Sequence, residues 1–436
     1  MTKRTLNAAA EPANIIKFLI KSPFGSADVK GGVVHLAYFE SILENTIRVT
    51  ATIIDTGNAL DDPSNPKGSI GVLQGLKLSG LEEVEIIFTD NQDTPFKMTL
   101  KKLRIIKIRN ILSHTQKTSY TLDIVSNEFC MNEDVDNLVY KRYDGEISSS
   151  VKKIIKDNLK SDKLVDADVT NNTYNFIGNA QKPMKLCTEV AKYCIPDGIS
   201  NARGKVAGYL FFETYDGYKF KSIDLLFKQK YKKYIYNLTV GGYWGDLPPG
   251  YDGKILEYHS DKTIDAHQRF LSGAYGTKLE GFDPYKDKFG FSKTNQEQQP
   301  ELGGTTLPNI PSEFSKLSRK SQRRLDIGEL PSGKTSKEQL KKAFEENLNA
   351  GITIAQSAMR YNQLYNIILT ITIAGDFTFR AGQLIHCDFP GSPGSNPRPD
   401  PEISGIYMIS DLCHYIEPKR TFTKMQLIRG SFGRKS

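Results

Sequence analysis

The sequence contains no apolar run that approaches the roughly 18–20 residues of a membrane-spanning helix. Its first residues, MTKRTLNAAAEPANIIKF, are basic but lack an apolar core, so we expect neither a secretory signal nor membrane insertion. Its five cysteines form no C-x-x-C pair, and so sparse and odd a set predicts reduced, mostly buried thiols. These deficits argue against a membrane protein and against a disulfide-stapled secreted domain.

Most short catalytic motifs are also missing, among them the nucleophile elbow, H-E-x-x-H and the EF-hand loop. One stretch, GELPSGKT at 328–335, matches the phosphate-binding pattern G-x-x-x-x-G-K-[ST]. Such a loop needs a buried strand before it, whereas KLSRKSQRRLDI carries five cations in twelve residues. We therefore expect no nucleotide site, no catalytic role for Lys334 and no cofactor.

A second candidate site combines the stretches IHCD and DLCH, which contain His386, Cys387, Cys413 and His414. This looks like a Cys2His2 zinc set. Adjacent residues of a strand point to opposite faces, however, so no more than one pair could share a face. Two ligands do not close a structural zinc site, and we expect no metal and no catalytic residues.

The length of 436 residues predicts two to four domains at roughly 100–200 residues each. The net charge of +8 permits contact with nucleic acid or an acidic partner but argues for neither. The pattern of apolar residues is more informative, and it predicts a mainly β protein of the α+β class.

Residues 1–125 read as a first antiparallel β-barrel. Gly, Asp, Asn and Pro separate short β-branched or aromatic runs at Ile15–Ile20, Gly32–Phe39, Thr46–Ile54, Val84–Phe88, Thr99–Ile108 and Tyr120–Val125. From 126 to 205 the period becomes helical in two places, at 147–159 and 184–194, with TYNFIGNA as a strand between them. This second region is predicted to be an α+β domain.

Residues 206–240 and 362–436 read as a second, similar β-barrel. GYLFFETYDGYKFKSIDLLFK predicts a hairpin that turns at Asp216-Gly217. Residues 241–361 are then an insertion in this barrel. Its polar stretch 284–335 is predicted to be a long loop that is mobile or orders only against a partner, and a capping box at Ser336 starts a helix over 336–361.

An internal repeat supports the two barrels. VEIIF, which ends at Phe88, resembles IHCDF, which ends at Phe389, and KTSYTLDIVSNEF (117–129) resembles KRTFTKMQLIRGSF (419–432). The distance along the chain from VEIIF to KTSYTLDIVSNEF is nearly the same as that from IHCDF to KRTFTKMQLIRGSF. We interpret this as a duplicated unit.

Three C-terminal stretches resemble one known family. They are YNIILTITIAGDFTFRAGQLIHCDFPG, SGIYMISDLCHYI and TFTKMQLIRGSFG. They are similar to the strand, Gly-Asp turn, Gly and strand, the "SG-x-Y-x-I" and the last strand of baseplate hub proteins of contractile-tailed bacteriophages. That family also supplies the N-terminal part of type VI secretion spike proteins. GVLQGLKLSGLEEVEIIFTD similarly resembles part of the family's first barrel.

The resemblance implies two tail-tube-like β-barrels, an α+β domain between them and an insertion in the second barrel. It implies a structural subunit whose homotrimer adapts a three-fold central spike to a six-fold tail tube, with DNA and tail proteins crossing the channel. The partners would be the spike, the tail tube protein and other baseplate proteins. The location would be the virion tail baseplate, after assembly in the host cytoplasm.

Basic and apolar side chains are the candidate interface residues. The strand KKLRIIKIRN places Lys102 and Arg104 on one face, either solvated or facing a channel or an acidic partner. The other candidates are Phe314, Leu317, Arg319, Arg323, Arg324, Arg429 and Arg434. Two further functions stay open: a nucleotide-binding or hydrolytic tail enzyme that uses 328–335, and a nucleic-acid-binding barrel protein.

Overall fold

The fold is described from a computed structural model. It describes residues 13–58, 60–62, 65–90, 95–197, 207–236, 253–262, 265–283, 288–295, 320–325, 350–389 and 399–431. The arm, loop and motif residues predicted between 296 and 319 and between 326 and 349 lie outside these ranges, as does Arg434.

Nine strands and one short helix form the first unit. They are β1 (Asn14–Ser22), β2 (Gly25–Asp28), β3 (Val33–Ser41), β4 (Arg48–Asp55), β5 (Leu60–Asp62), β6 (Asn65–Ile70), α1 (Val72–Gly75), β7 (Glu83–Thr89), β8 (Lys97–His114) and β9 (Lys117–Ser126). Strict alternation in β4 sends Val49, Ala51 and Ile53 into one core. All six strand regions predicted from the sequence are confirmed.

The α+β domain follows. Its elements are α2 (Asn127–Glu133), β10 (Arg142–Tyr143), α3 (Ile147–Asn158), β11 (Val165–Ala167), β12 (Phe176–Ile177), α4 (Pro183–Ala191), β13 (Tyr209–Thr214), β14 (Gly217–Ser222) and α5 (Ile223–Leu226). Pro183 begins α4 as expected, because proline suits the first turn of a helix. The β13–β14 hairpin pairs with β11 through β14. The prediction that this hairpin belongs to the second barrel is therefore wrong.

The second barrel is a closed six-stranded sheet. Its strands are β15 (Tyr231–Tyr236), β16 (Lys254–Lys262), β20 (Ile367–Ala374), β21 (Leu384–Asp388), β22 (Gly405–Glu417) and β23 (Arg420–Arg429). They pair in the order β15-β16-β20-β23-β22-β21, and β21 returns to β15. The strand β16 falls in the predicted insertion, so the insertion is shorter than the sequence predicted.

The insertion between β16 and β20 contains a small sheet of its own. Its described elements are α6 (Ala266–Ser272), β17 (Gly276–Asp283), β18 (Lys288–Asn295), β19 (Lys320–Leu325) and α7 (Ala350–Leu364). Both β18 and β19 pair with β17. The prediction of one long loop over 284–335, mobile or ordered only against a partner, is thus wrong at 288–295 and 320–325, because backbone pairing there does not require an apolar sequence.

The two units share one strand order, although in the described residues only the second closes by strand pairing, between β15 and β16. In the first unit the strands lie in the order β1-β7-β8-β9-β4-β3, and in the second β15-β21-β22-β23-β20-β16 occupy the same positions. The first position differs in direction: β1 is antiparallel to β7, whereas β15 is parallel to β21. The segments matched in the sequence repeat lie on equivalent strands, β7 with β21 and β9 with β23.

The duplication extends to the β-bulges. β8 shifts register against β9 between Ile105 and Lys107, and β22 shifts against β23 at the equivalent place, between Ile409 and Asp411. β3 and β16 likewise carry matching bulges near their starts. Because a bulge is a specific local feature, the shared bulges match residues of one unit to residues of the other. β8 has a further bulge between Arg109 and Leu112 that β22 lacks, so residues beyond it are matched through their partners on β9 and β23.

Candidate assembly surface

One sheet runs through both barrels. Its strands lie in the order β8-β9-β4-β3-β22-β23-β20-β16. The two units meet where β3 pairs antiparallel with β22, from Ser41 opposite Asp411 to Leu36 opposite Ile416. Each chain therefore contains two equivalent units that are already joined edge to edge.

A buried carboxylate holds this joint. Glu40 on β3 is 2% exposed and accepts hydrogen bonds from the Tyr38 hydroxyl at 2.6 Å and from the amides of Tyr215 and Ala381 at 2.7 and 2.8 Å. These donors come from the first barrel, the β13–β14 turn and the second barrel. Burial raises the pKa of Glu40, although nearby Arg380 opposes this rise. The three regions are thus tied to one side chain.

Arg380 completes the joint from the second barrel. Its guanidinium donates to the carbonyls of Phe377 and Phe379, both at 2.7 Å, and pairs with Asp216 at 3.3 Å. It also lies over the Tyr215 ring at 4.6 Å. This cation–π contact connects the hairpin to the barrel joint.

A second buried ionic group lies where the first barrel meets the α+β domain. The Lys163 ammonium contacts Glu213 at 2.5 Å and Glu128 at 2.6 Å, and Glu213 is fully buried. Glu213 also accepts a hydrogen bond from the Ile47 amide at 3.1 Å. Burial works against the charge of Lys163, but the two carboxylates outweigh it and raise its pKa.

His414 on β22 is buried within the joint. Its Nδ1 lies 2.9 Å from the Thr423 hydroxyl, and its ring stacks on Tyr38 at 5.8 Å and meets Phe377 at 4.6 Å. Burial, with a contribution from Arg380, lowers the pKa of His414 to about 3. The imidazole is therefore neutral in the folded protein at neutral pH.

We expect this histidine to make the protein less stable in mild acid. The unfolded chain binds a proton near pH 6.5, whereas the folded chain resists protonation until about pH 3, so stability falls as pH drops between these values. The loss approaches roughly 1.4 kcal/mol per pH unit. Urea unfolding from pH 7 to 5 checks this: His414→Leu should flatten the slope, and the exposed control His267→Leu should not. An unchanged slope in His414→Leu would contradict the assignment.

The outer face of the continuous sheet carries charged side chains of both signs beside apolar ones. A groove of about 650 Å³ crosses it at the joint, and its lining includes Arg48, Arg109, Asp123, Asp411 and Lys424. Arg109 makes a two-pronged pair with Asp123 at 2.8 and 3.0 Å. Both signs of charge are therefore interspersed on this face.

Those predicted interface residues that the structure describes lie in separate places. Lys102 is exposed and pairs with Asp162 at 2.9 Å, and Arg104 donates to Asn127 at 2.8 Å, so both contact the edge of the α+β domain. The side chains of these two residues share the outward face, as predicted, and Leu103 between them is buried.

Arg429 contradicts its prediction as an interface residue, because it is fully buried. It donates to the carbonyls of Ser404, at 3.2 Å, and Glu402, and lies 4.5 Å above the Tyr407 ring. Arg323 and Arg324 lie on β19, opposite Glu280 and Gly281. Phe314, Leu317, Arg319, Arg434 and the 328–335 motif lie outside the described residues.

The candidate zinc residues have other neighbours. Cys387 lies in the core of the second barrel, and His386 Nε2 lies 3.2 Å from Asp388. Within the ranges that the structure describes, no three His, Cys, Asp or Glu side chains converge as metal ligands would. In the same ranges, no helix is long and apolar enough to cross a membrane.

Sequence reasoning missed the residues that hold the joint. Glu40 and Arg380 belong to no sequence motif, and His414 was considered only as a candidate zinc ligand. The sequence did contain one further sign of the duplicated unit. RVTATI on β4 and ILTITI on β20 share the pattern T-x-T-I at equivalent positions of the two units.

Comparison with known proteins supports the fold. No protein-family model and no curated protein sequence matches the chain. The 43 kDa tail protein of prophage MuSo2 from Shewanella oneidensis aligns with a TM-score of 0.52 and 8% identity, over 95% of this chain and 98% of that one. A tail protein from Neisseria meningitidis MC58 aligns with a TM-score of 0.52 and 11% identity, over 94% and 96%. The chain therefore has the fold of these phage tail proteins, and the resemblance seen in the sequence is confirmed at the level of the fold.

Proposed function

We propose that this protein is a structural subunit of the baseplate hub of a contractile phage tail. Three copies form a ring that matches a three-fold central spike on one side and a six-fold tail tube on the other. DNA and tail proteins pass through its channel. The protein works by assembly rather than by catalysis, in the virion tail, after assembly in the host cytoplasm.

The edge-to-edge joining of two equivalent barrels in one chain is the observation that carries this proposal. A ring of three such chains presents six similar units while it keeps exact three-fold symmetry. A chain with one barrel would need six copies and could not match a three-fold partner as directly. The shared fold with two phage tail proteins supports the same role.

We expect the purified protein to form a homotrimer, alone or after addition of its spike. Light scattering should give three times the mass of the 48.9 kDa chain, and negative-stain images should show a ring with a central hole. A monomer at all concentrations, even with the spike, would contradict the proposal. A nucleotide hydrolase would instead reveal itself by nucleotide binding without ring formation.

A further inference from the structure

The second half of β8 has an open edge. Residues 106–114 pair with β9 on one side, whereas β7 pairs only with residues 97–104 on the other. In the described part of the chain, no strand lies against that second side of 106–114. Ile106, Ile111 and Leu112 on this stretch are 45%, 53% and 61% exposed. An open edge with exposed aliphatic side chains favours pairing with another strand.

The second barrel shows how such an edge is used. Through the matching bulges, Lys107 and Arg109 of β8 are equivalent to Asp411 and Cys413 of β22. That part of β22 is not open, because it pairs with β3 of the first barrel. The first barrel thus has the same pairing surface, without a partner strand among the described residues.

We propose that residues 106–114 pair antiparallel with β16 of a second copy of this chain. This inference rests on the proposed trimer and names the surface that closes it. The partner strand is β16 because it occupies in the second barrel the position that β3 occupies in the first. The contact between copies therefore repeats the contact between the two barrels of one copy.

The equivalence also gives the register. Tyr415 lies opposite Ala37 in the β22–β3 pair. Leu112 of β8 is equivalent to Tyr415, because they face equivalent residues of β9 and β23. His259 of β16 is equivalent to Ala37 in the same way. Leu112 should therefore lie opposite His259 of the second copy.

Charge and geometry fit this pairing. Two residues further along, the register brings His114 opposite Glu257, a favourable pair when the imidazole is protonated. Each chain contributes the eight strands of its continuous sheet, so three chains would close a sheet of 24 strands. At about 4.8 Å between strands, its backbone would span at least roughly 37 Å in diameter.

A disulfide cross-link tests the register. Directly opposed antiparallel residues have Cα atoms about 4.5–5.5 Å apart, within the range of a disulfide. Leu112→Cys with His259→Cys should give covalently closed trimers under oxidation, and reduction should return single chains. Each single variant, and Lys117→Cys with His259→Cys, are the controls and should not cross-link. Trimeric wild type without a cross-link in the double variant would overturn this interface and leave the proposed function standing. A wild type that stays monomeric at all concentrations, even with the spike, would overturn both.

A charge at the edge provides a second test. Leu112→Asp should raise the trimer dissociation constant by roughly tenfold or more, because an exposed leucine that is buried on assembly is replaced by a carboxylate. Leu271→Asp is the matched control, since Leu271 on α6 is also 61% exposed. As monomers, both variants should have the same melting temperature as monomeric wild type, which shows that neither substitution disturbs the fold. Equal trimer affinity of the two variants would contradict the proposed pairing.

Discussion

Replacing Lys163 with methionine is expected to lower the free energy of unfolding by about 3–5 kcal/mol at neutral pH. The substitution keeps most of the side-chain volume but leaves Glu213, which is fully buried, without its cation. Glu128 then faces Glu213 as a second carboxylate. Burial already raises the pKa of Glu213 despite Lys163, so removal of the ammonium should raise it further. Urea unfolding measures the change.

The pH dependence of this variant separates a charge effect from a packing effect. A stranded Glu213 with a raised pKa binds a proton more readily in the folded than in the unfolded chain. The variant should therefore recover stability relative to wild type as pH falls from 7 towards 5. The control is Lys21→Met, which removes a solvent-exposed partner of Glu83 and should have no measurable effect. A deficit in Lys163→Met that stays constant with pH would contradict the electrostatic explanation.

The strands were predictable wherever their burial is one-sided. In β4 and β20 the alternation of apolar and polar residues records directly which side chains enter a barrel core. The duplication was visible for a related reason. Equivalent strands of the two units meet equivalent packing demands, so VEIIF and IHCDF retain similar patterns.

The errors occurred where local sequence does not determine the pairing partner. The sequence of the β13–β14 hairpin is compatible with either a barrel or the α+β sheet. Its place in the α+β sheet follows only from its pairing with β11. The strands β16, β18 and β19 are rich in polar residues, and their hydrogen bonds come from the backbone. Periodicity therefore could not identify them.

Buried charges are the other feature that the sequence hides. Arg429 was predicted as an interface residue, yet its guanidinium is buried against backbone carbonyls and the Tyr407 ring. Glu40 is similar, since its three donors lie at positions 38, 215 and 381. The contacts of Arg429 exist only after the second barrel has folded, and those of Glu40 to Tyr215 and Ala381 only after the two barrels have joined.

Replacing Arg360 with methionine is the second substitution with a large expected effect. Arg360 on α7 is fully buried, and its Nη2 lies 2.5 Å from Asp224 of α5, which is 8% exposed. Burial raises the pKa of Asp224, and Arg360 opposes that rise. Arg360→Met strands the carboxylate, so we expect a loss of about 3–5 kcal/mol in the free energy of unfolding.

The partner substitutions make this a double-mutant cycle. Asp224→Leu strands the guanidinium and should be similarly destabilising, whereas Arg360→Met with Asp224→Leu replaces the pair by apolar groups and should recover most of the loss. The pair also bears on the proposed trimer, because α7 contacts β13 through the Tyr361 hydroxyl and the Tyr209 carbonyl, at 2.6 Å, and leads directly into β20. Each single variant should therefore weaken trimer formation, and the double variant should restore it. Additive losses of unfolding free energy in urea would show that the two side chains act independently. The ion pair would then not connect the α+β domain to the second barrel.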